Sequence, residues 1–502
     1  MNTVLNRGLK EITSGSIWVV LGLFLGYILE YINRIIIGRL FGTSDYGLIS
    51  LSLAVAIVCA SISLLGFQSG AARYIAIFSG DNQKSKAGLI VTTGLKIIIP
   101  VGILLIIILI LGKKVLISYL IKESSLFPVV IPFIVMIPII GVAEFFYSCL
   151  RGLKLAKYSI FSKEIIRRLP VLMILCSMLI FIPKKLIIVS YAYLIGFIVY
   201  MLVSGLWVRK NVSFNDKNYK HDFKVKEFIL FSLPLLFSFM LKRFGSEISN
   251  IVVGFFRNTE EVGYLSAALP FARLIIFPLT AVLFMFLPVM SEYWHKKKDK
   301  ELRIVFMTVC NWLFCASGLV FLLFILYSEP IIVKSFGENF RPAHQALIIL
   351  SIGQFFNAIC GPTGALLLAA GESKKYFIGD FISIFISFIL YLIIVPKFGF
   401  LGAAYVNMAH LILINVFYLI FVYKISRLFP FNKKILYALF LLLLVILFFK
   451  NFTSGISLVF QIILTIVIYF AIIILTGVLR KDSVVFFYNF LSQGLRKNQH
   501  VK

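Results

Sequence analysis

Charge is what this chain has least of, and acid is scarcer than base. Asp and Glu together number 21 against 49 Lys and Arg, and charged residues make up only 14% of the 502 positions. Ordinary soluble domains carry about 25% charge. A surface facing water is therefore excluded for most of the chain. Cysteine is sparse too. The six (Cys59, Cys149, Cys176, Cys310, Cys315 and Cys360) all lie in apolar runs without ligand spacing. That rules out a disulfide framework or a thiolate metal site, leaving small buried hydrophobes. There is no Walker-type glycine loop, no HExxH, and no acid pair on a sizeable loop. The chain is thus expected to be no enzyme, with no metal and no cofactor.

Apolar residue is what is present, at 61%, with 51 Phe. The 33 Gly and 15 Pro fall largely inside apolar runs, which membrane helices tolerate. A window of about 20 apolar residues per span gives fourteen stretches. They are 14–38, 46–68, 88–111, 127–150, 165–183, 187–208, 228–256, 262–290, 303–327, 343–370, 376–395, 400–423, 434–449 and 455–479. No cleavable leader is expected, because the first stretch is long enough to span and carries Asn33 and Arg34. The longest hydrophilic segment is RKNVSFNDKNYKHDFKVKE, residues 209–227.

The formal charge of +28 is spread in short clusters between spans, a positive-inside pattern and not a nucleic-acid surface. With both termini in the cytoplasm, basic residues favour the inner side by roughly three to one. Shifting the frame by one span inverts the ratio. Inner loops then carry Lys154, Lys157, Lys163, Arg167 and Arg168, and later Lys296, Lys297, Lys298 and Lys300.

The chain repeats itself. IIGRLFGTSDYGLIS from Ile36 aligns without a gap on VVGFFRNTEEVGYLS from Val252, matching Gly38 to Gly254, Asp45 to Glu261, Gly47 to Gly263 and Ser50 to Ser266. A weaker echo pairs Gly152, Lys157 and Tyr158 with Gly371, Lys375 and Tyr376. Two halves of about six spans each begin on the same membrane side, so the repeat is parallel. The expected domains are a six-helix bundle at 1–208, a cytoplasmic linker at 209–227, a second six-helix bundle at 228–424, and two further spans with a basic tail at 425–502. Gly38, Asp45 and Gly47 read structurally: glycine permits a tight reversal, and the acid suits the next helix N-terminus.

Ionisable residues deep in spans are the functional signal, since each costs free energy unless it meets a partner or a cavity. Lys242 and Arg243 lie about 14 residues into the seventh stretch, roughly 20 Å along it. Arg273 lies about 11 residues into the eighth, near the midplane by the same rise. Arg34 and Lys96 either face a cavity or snorkel to an interface. The carboxylates within reach are Glu30, one turn from Arg34; Glu247, one turn from Arg243; and Glu144. A cavity lined by Arg273, Arg243, Lys242 and Arg34 would hold a phosphate or diphosphate. Gln354 and Asn357 share a helical face and suit sugar hydroxyls or helix contacts. Asn407, His410 and Asn415 suit helix–helix hydrogen bonds, with His410 the weaker candidate for proton coupling.

The opening R-G-x-x-x-x-x-S-G-S, then G-R-x-F-G-x-x-x-Y-G, L-G-F-Q-S-G-A-A-R-Y-I-A and L-R-G-L-K-x-A-K-Y, echoed by L-A-A-G-E-S-K-K-Y, resemble the polysaccharide-export (O-antigen flippase-like) family of the MOP superfamily. The resemblance covers essentially the whole chain. It implies an all-α integral membrane fold: two parallel pseudo-twofold bundles in a MATE-like V plus two C-terminal helices. It also implies alternating access at the cell (plasma) membrane, with a polyprenyl-diphosphate-linked oligosaccharide as substrate. Membrane lipids and glycan assembly enzymes are then the expected partners, and the chain a monomer. Lys96 lies off the lining helices such a layout predicts. The alternatives are a MATE-like ion-coupled exporter, a lipid II flippase, and a membrane-bound polysaccharide polymerase or ligase. The last would need a large outer loop, which the sequence lacks.

Overall fold

The computed structural model describes residues 2–80, 83–214, 225–452 and 457–478, with the side chains of 2–20 and 237–246 among those outside the description. Much of the 209–227 linker and all of the tail beyond 478 therefore lie outside it. The described residues are almost wholly helical, and they include eight helices long and apolar enough to cross a membrane, or nine when one bent pair counts as a span. The chain is a multi-pass membrane protein. Two compact units make up the chain: one is Ser14–Ser266, and the other joins the described residues from Ala267 onward with those before Ser14.

The first unit contains α1 (Asn2–Ser63) from Ser14 onward, α2 (Phe67–Gly80), α3 (Lys84–Leu111), α4 (Lys113–Leu116), α5 (Phe127–Gly152), α6 (Ala156–Ile160), α7 (Leu169–Ile180), α8 (Leu186–Asn211) and α9 (Val225–Phe256), with the start of α10 (Thr259–Leu274). α1 is two helices joined at Gly42, whose φ of 79° only glycine adopts freely. The reversal thus falls at Gly42 and not at Gly38 or Gly47. Its counterpart in the repeat is Asn258, whose Oδ1 accepts the Glu261 N–H at 2.9 Å and so caps α10. A π-helical turn, Phe161–Ile166, joins α6 to α7, so the expected fifth span begins earlier than its apolar run. α5 packs against α2, α3 and α8. Ala71, Ile75, Ile98, Phe145, Cys149 and Phe228 are fully buried there, and the Phe67 and Phe228 rings stack at 4.9 Å, fastening α2 to α9.

The second unit continues through α11 (Phe277–His295), α12 (Asp299–Phe336), α13 (Ala343–Cys360), α14 (Pro362–Ala369), α15 (Ser373–Ser426), α16 (Lys433–Phe452) and α17 (Leu458–Thr476). α15 is broken at Gly399 (φ 57°), dividing the expected eleventh and twelfth spans. Met290, Phe306, Cys310, Leu366 and Val422 form its core. Buried polar contacts tie α17 to α12: the Tyr469 hydroxyl donates to the Cys315 carbonyl at 2.8 Å, and the Tyr327 and Thr465 hydroxyls share a hydrogen bond at 2.6 Å. Tyr469→Phe is expected to lower the stability of the detergent-solubilised protein by about 1 kcal/mol, the usual worth of such a bond. Thermal unfolding checks it.

Candidate functional site

Glu30 and Arg34 lie one turn apart on α1, with Arg34 Nε 2.7 Å from Glu30 Oε1. The other Glu30 oxygen takes Arg168 Nε at 2.7 Å, across from α7. Arg168 in turn pairs with Glu164 of the π-helical turn at 2.5 Å, and its backbone carbonyl accepts from Asn33 Nδ2 at 3.2 Å. Two guanidiniums and two carboxylates thus alternate in one chain between α1 and the start of α7. Inside a span such charges persist only when paired in this way. Gly26 makes the room: a Cβ there would fall 2.8 Å from Glu164 Cβ and 2.9 Å from Arg168 Nη1. Beside the chain, Lys163 holds Glu144 at 2.8 Å and sits 4.4 Å over the Tyr147 ring. Arg167 stands 5.1 Å over Phe197.

The chain extends towards the repeated turn. Arg34 Nη1 donates to the Tyr46 hydroxyl at 3.2 Å, and that hydroxyl donates to the Ser266 carbonyl at 3.0 Å. Here the two copies of the repeat meet. A Cβ on Gly47 would lie 1.7 Å from the Thr259 carbonyl oxygen, and a Cβ on Gly263 would lie 2.2 Å from the Thr43 carbonyl oxygen. Thr43 and Thr259 occupy matching repeat positions, as do Gly47 and Gly263, so the contact is reciprocal. Ser44 Oγ and Thr259 Oγ1 add a hydrogen bond at 2.8 Å. Nearby, Lys122 donates to the Arg257 carbonyl. Burial and the neighbouring Glu123 charge push the Asp45 carboxyl above its ordinary range.

The remaining expected residues are dispersed. Lys242 and Arg243 lie on α9 with side chains outside the described residues. Glu247, half-buried on the same helix, has an interaction partner. Arg273 is half-buried in the last turn of α10, without a carboxylate partner among the described residues, and the helix axis bends by 50° just beyond it. Lys96 is exposed on α3. In the second unit Asn357 Oδ1 accepts from Asn415 Nδ2 at 2.9 Å, as expected of helix contacts, and His410 Nδ1 meets Ser387 Oγ at 3.1 Å. Gln354 is buried, and its Oε1 has no partner among the described residues.

Sequence reasoning placed Lys163 and Arg168 in a cytoplasmic loop and passed over Glu164. The i,i+4 spacing of Glu164 and Arg168 was the available signal. It also passed over Gln68, buried with both amide atoms unpartnered among the described residues. Asp380 is a third omission, an acid inside an apolar run that accepts from the Tyr418 hydroxyl.

Residues 12–294 match the family described as polysaccharide biosynthesis protein, which is more than half of the chain. The chain belongs to the polysaccharide biosynthesis protein family. Residues 234–393 also match the MatE family. Among curated relatives of this polysaccharide biosynthesis protein, the uncharacterized membrane protein MJ1068 of Methanocaldococcus jannaschii is 24% identical over 500 residues, covering 93% of this chain and 95% of its own. The teichuronic acid biosynthesis protein TuaB of Bacillus subtilis is 24% identical over 157 residues, 31% of this chain and 32% of TuaB. The fold is that of the lipid II flippase MurJ in an inward closed conformation (TM-score 0.70, 17% identity, 95% of this chain and 100% of that one). It is also that of an inward-facing MATE-family multidrug transporter of the MOP superfamily (TM-score 0.64, 15% identity, 80% and 95%).

Glu30→Gln removes the carboxylate that two arginines share. It is expected to cost about 3 kcal/mol of stability, read by denaturant titration in detergent, and Arg34→Met in the same chain recovers part of that loss.

Proposed function

We propose that this protein flips a polyprenyl-diphosphate-linked oligosaccharide from the cytoplasmic to the outer leaflet by alternating access. The observation that carries the reading is the reciprocal contact of the two repeated turns. Backbone packed on glycine with few side chains between is a joint that can part as a unit, which rocking of two halves requires. In this reading the halves are the bundles 1–208 and 228–424, linked at 209–227, with α16 and α17 appended. Both termini lie in the cytoplasm of a cell-membrane protein, and the repeated turns form the outer closure.

The cargo is negative at its diphosphate and polar at its sugars. Membership of a polysaccharide biosynthesis family supports that class, and so does the cationic character of Arg273 on its bent span. Arg273, Arg243 and Lys242 would hold the diphosphate, with Gln354 and Asn357 beside the sugars. Arg34 serves differently. Its charge is already met by Glu30, so it joins the cargo site only by way of the carboxylate it shares with Arg168. Membrane lipids surround the chain, assembly enzymes would deliver the cargo, and a monomer suffices for the cycle.

The MatE match over 234–393 favours one second reading, an ion-coupled exporter. The half-buried Glu30 and the buried Glu144 and Asp380 carry the carboxylates it would use.

Arg273→Glu and Arg243→Glu are expected to lower surface glycan at least tenfold with protein abundance unchanged, scored by surface immunoblot. Full display in both variants would remove the anion site. Cysteines placed in 209–227 should react with an impermeant maleimide only after the cytoplasmic side is opened. Labelling in intact cells would reverse the orientation.

A further inference from the structure

A groove of about 660 Å³ runs along the first unit between α3 and α8, with α5 as its floor. That volume falls within the range of ligand pockets, about 300–1,000 Å³. Its lining is apolar (Leu95, Pro138, Phe146 and Leu202 among it) with one charged side chain, Arg209. Gly205 keeps the channel clear over Phe146, since a Cβ there would come within 2.8 Å of the ring. The rim is open to the bilayer: Ile99, Leu202 and Leu206 are 40%, 55% and 58% exposed. From Met201 to Arg209 the helix rises about 12 Å, the length of roughly ten methylenes.

Arg209 closes one end of this groove, in the last turn of α8 beside Lys210. Among the described residues its side chain meets no carboxylate and makes no hydrogen bond, and it is exposed. The Ser213 N–H donates to the Lys84 carbonyl at 3.2 Å, which brings the cationic start of α3 to the same end. An apolar slot of chain-like length capped by an unpaired guanidinium and flanked by lysines complements one class of ligand. We propose that this groove binds an anionic phospholipid, one acyl chain lying between α3 and α8 and the phosphate held by Arg209. A guanidinium suits a phosphate because it can donate two parallel hydrogen bonds. A net negative head group is drawn to the unpaired charge of Arg209, whereas in a zwitterionic one the choline cation offsets the phosphate. The site is separate from the ionic chain at Glu30 and does not depend on the transport reading.

Trp207 reports on it, lying between Leu206 and Val208 of the lining and 3.9 Å from the Tyr158 ring. The test uses full-length protein with Trp18, Trp294 and Trp312 changed to Phe, reconstituted in phosphatidylcholine vesicles. Increasing fractions of brominated phosphatidylglycerol or brominated phosphatidylcholine then quench Trp207. Half-maximal quenching is expected at a roughly fivefold lower fraction of the anionic lipid, as one cation near a membrane surface would give. Arg209→Gln should bring the two curves together, and Lys374→Gln, exposed on α15, should not. Leu202→Phe, which fills the slot from its lipid-facing rim, should weaken quenching by both lipids. Coincident curves in the unaltered chain, or a preference that survives Arg209→Gln, would overturn the proposal. So would stronger competition by undecaprenyl phosphate than by unbrominated phosphatidylglycerol, which would assign the slot to a polyprenyl tail.

Discussion

Two helix turns pass so close at Gly47 and Gly263 that each carbonyl oxygen occupies the place of the other's missing side chain. Interior packing does not yield to overlaps of that size. The approach fixes the first half of α10 against the reversal at Gly42, and it sets where Tyr46 lies. Tyr46 joins the turn to the membrane interior, because its hydroxyl bonds Ser266 on one side and Arg34 on the other. A displacement of the turn therefore acts on the pairing of Glu30 with its two arginines. The link is a contiguous set of hydrogen bonds, the kind of physical path through which one site biases another.

The scarcity of acid gives those carboxylates their weight. Glu30 serves both Arg34 and Arg168, and Glu164 pairs with Arg168 again, so each carboxylate compensates charge that would otherwise be stranded in an apolar bundle. The π-helical turn at Phe161–Ile166 has a use in this light. An insertion of this kind re-aims the residues beyond it, and such turns gather at functional sites. Arg273 differs from these groups in having no carboxylate among the described residues, which is why the anion reading rests on it more than on Arg34.

Much of this was legible in the sequence. Hydropathy located the helices because lipid imposes a minimum length on every span, and the ungapped repeat marked Gly47 and Gly263 before any geometry was known. The roles of these glycines were not legible. A tight turn and a close approach both demand glycine, and only the φ of Gly42 separates the two. Glu164 was lost to the same window that found the spans. A π turn carrying charge lowers the local hydropathy, so charged groups packed between helices read as loop. Arg34 and Glu30 were recognised as one turn apart, but a partner 138 residues away has no local signature.

The central claim is that the repeated turns must separate for cargo to pass. Ser44 Oγ and Thr259 Oγ1 lie 2.8 Å apart, within reach of a disulfide once both are cysteine. In a background with the six native cysteines replaced, Ser44→Cys with Thr259→Cys should display glycan when reduced and lose it when oxidised, each single variant being indifferent to oxidant. Glycan export at full rate with the disulfide demonstrably closed would contradict the account.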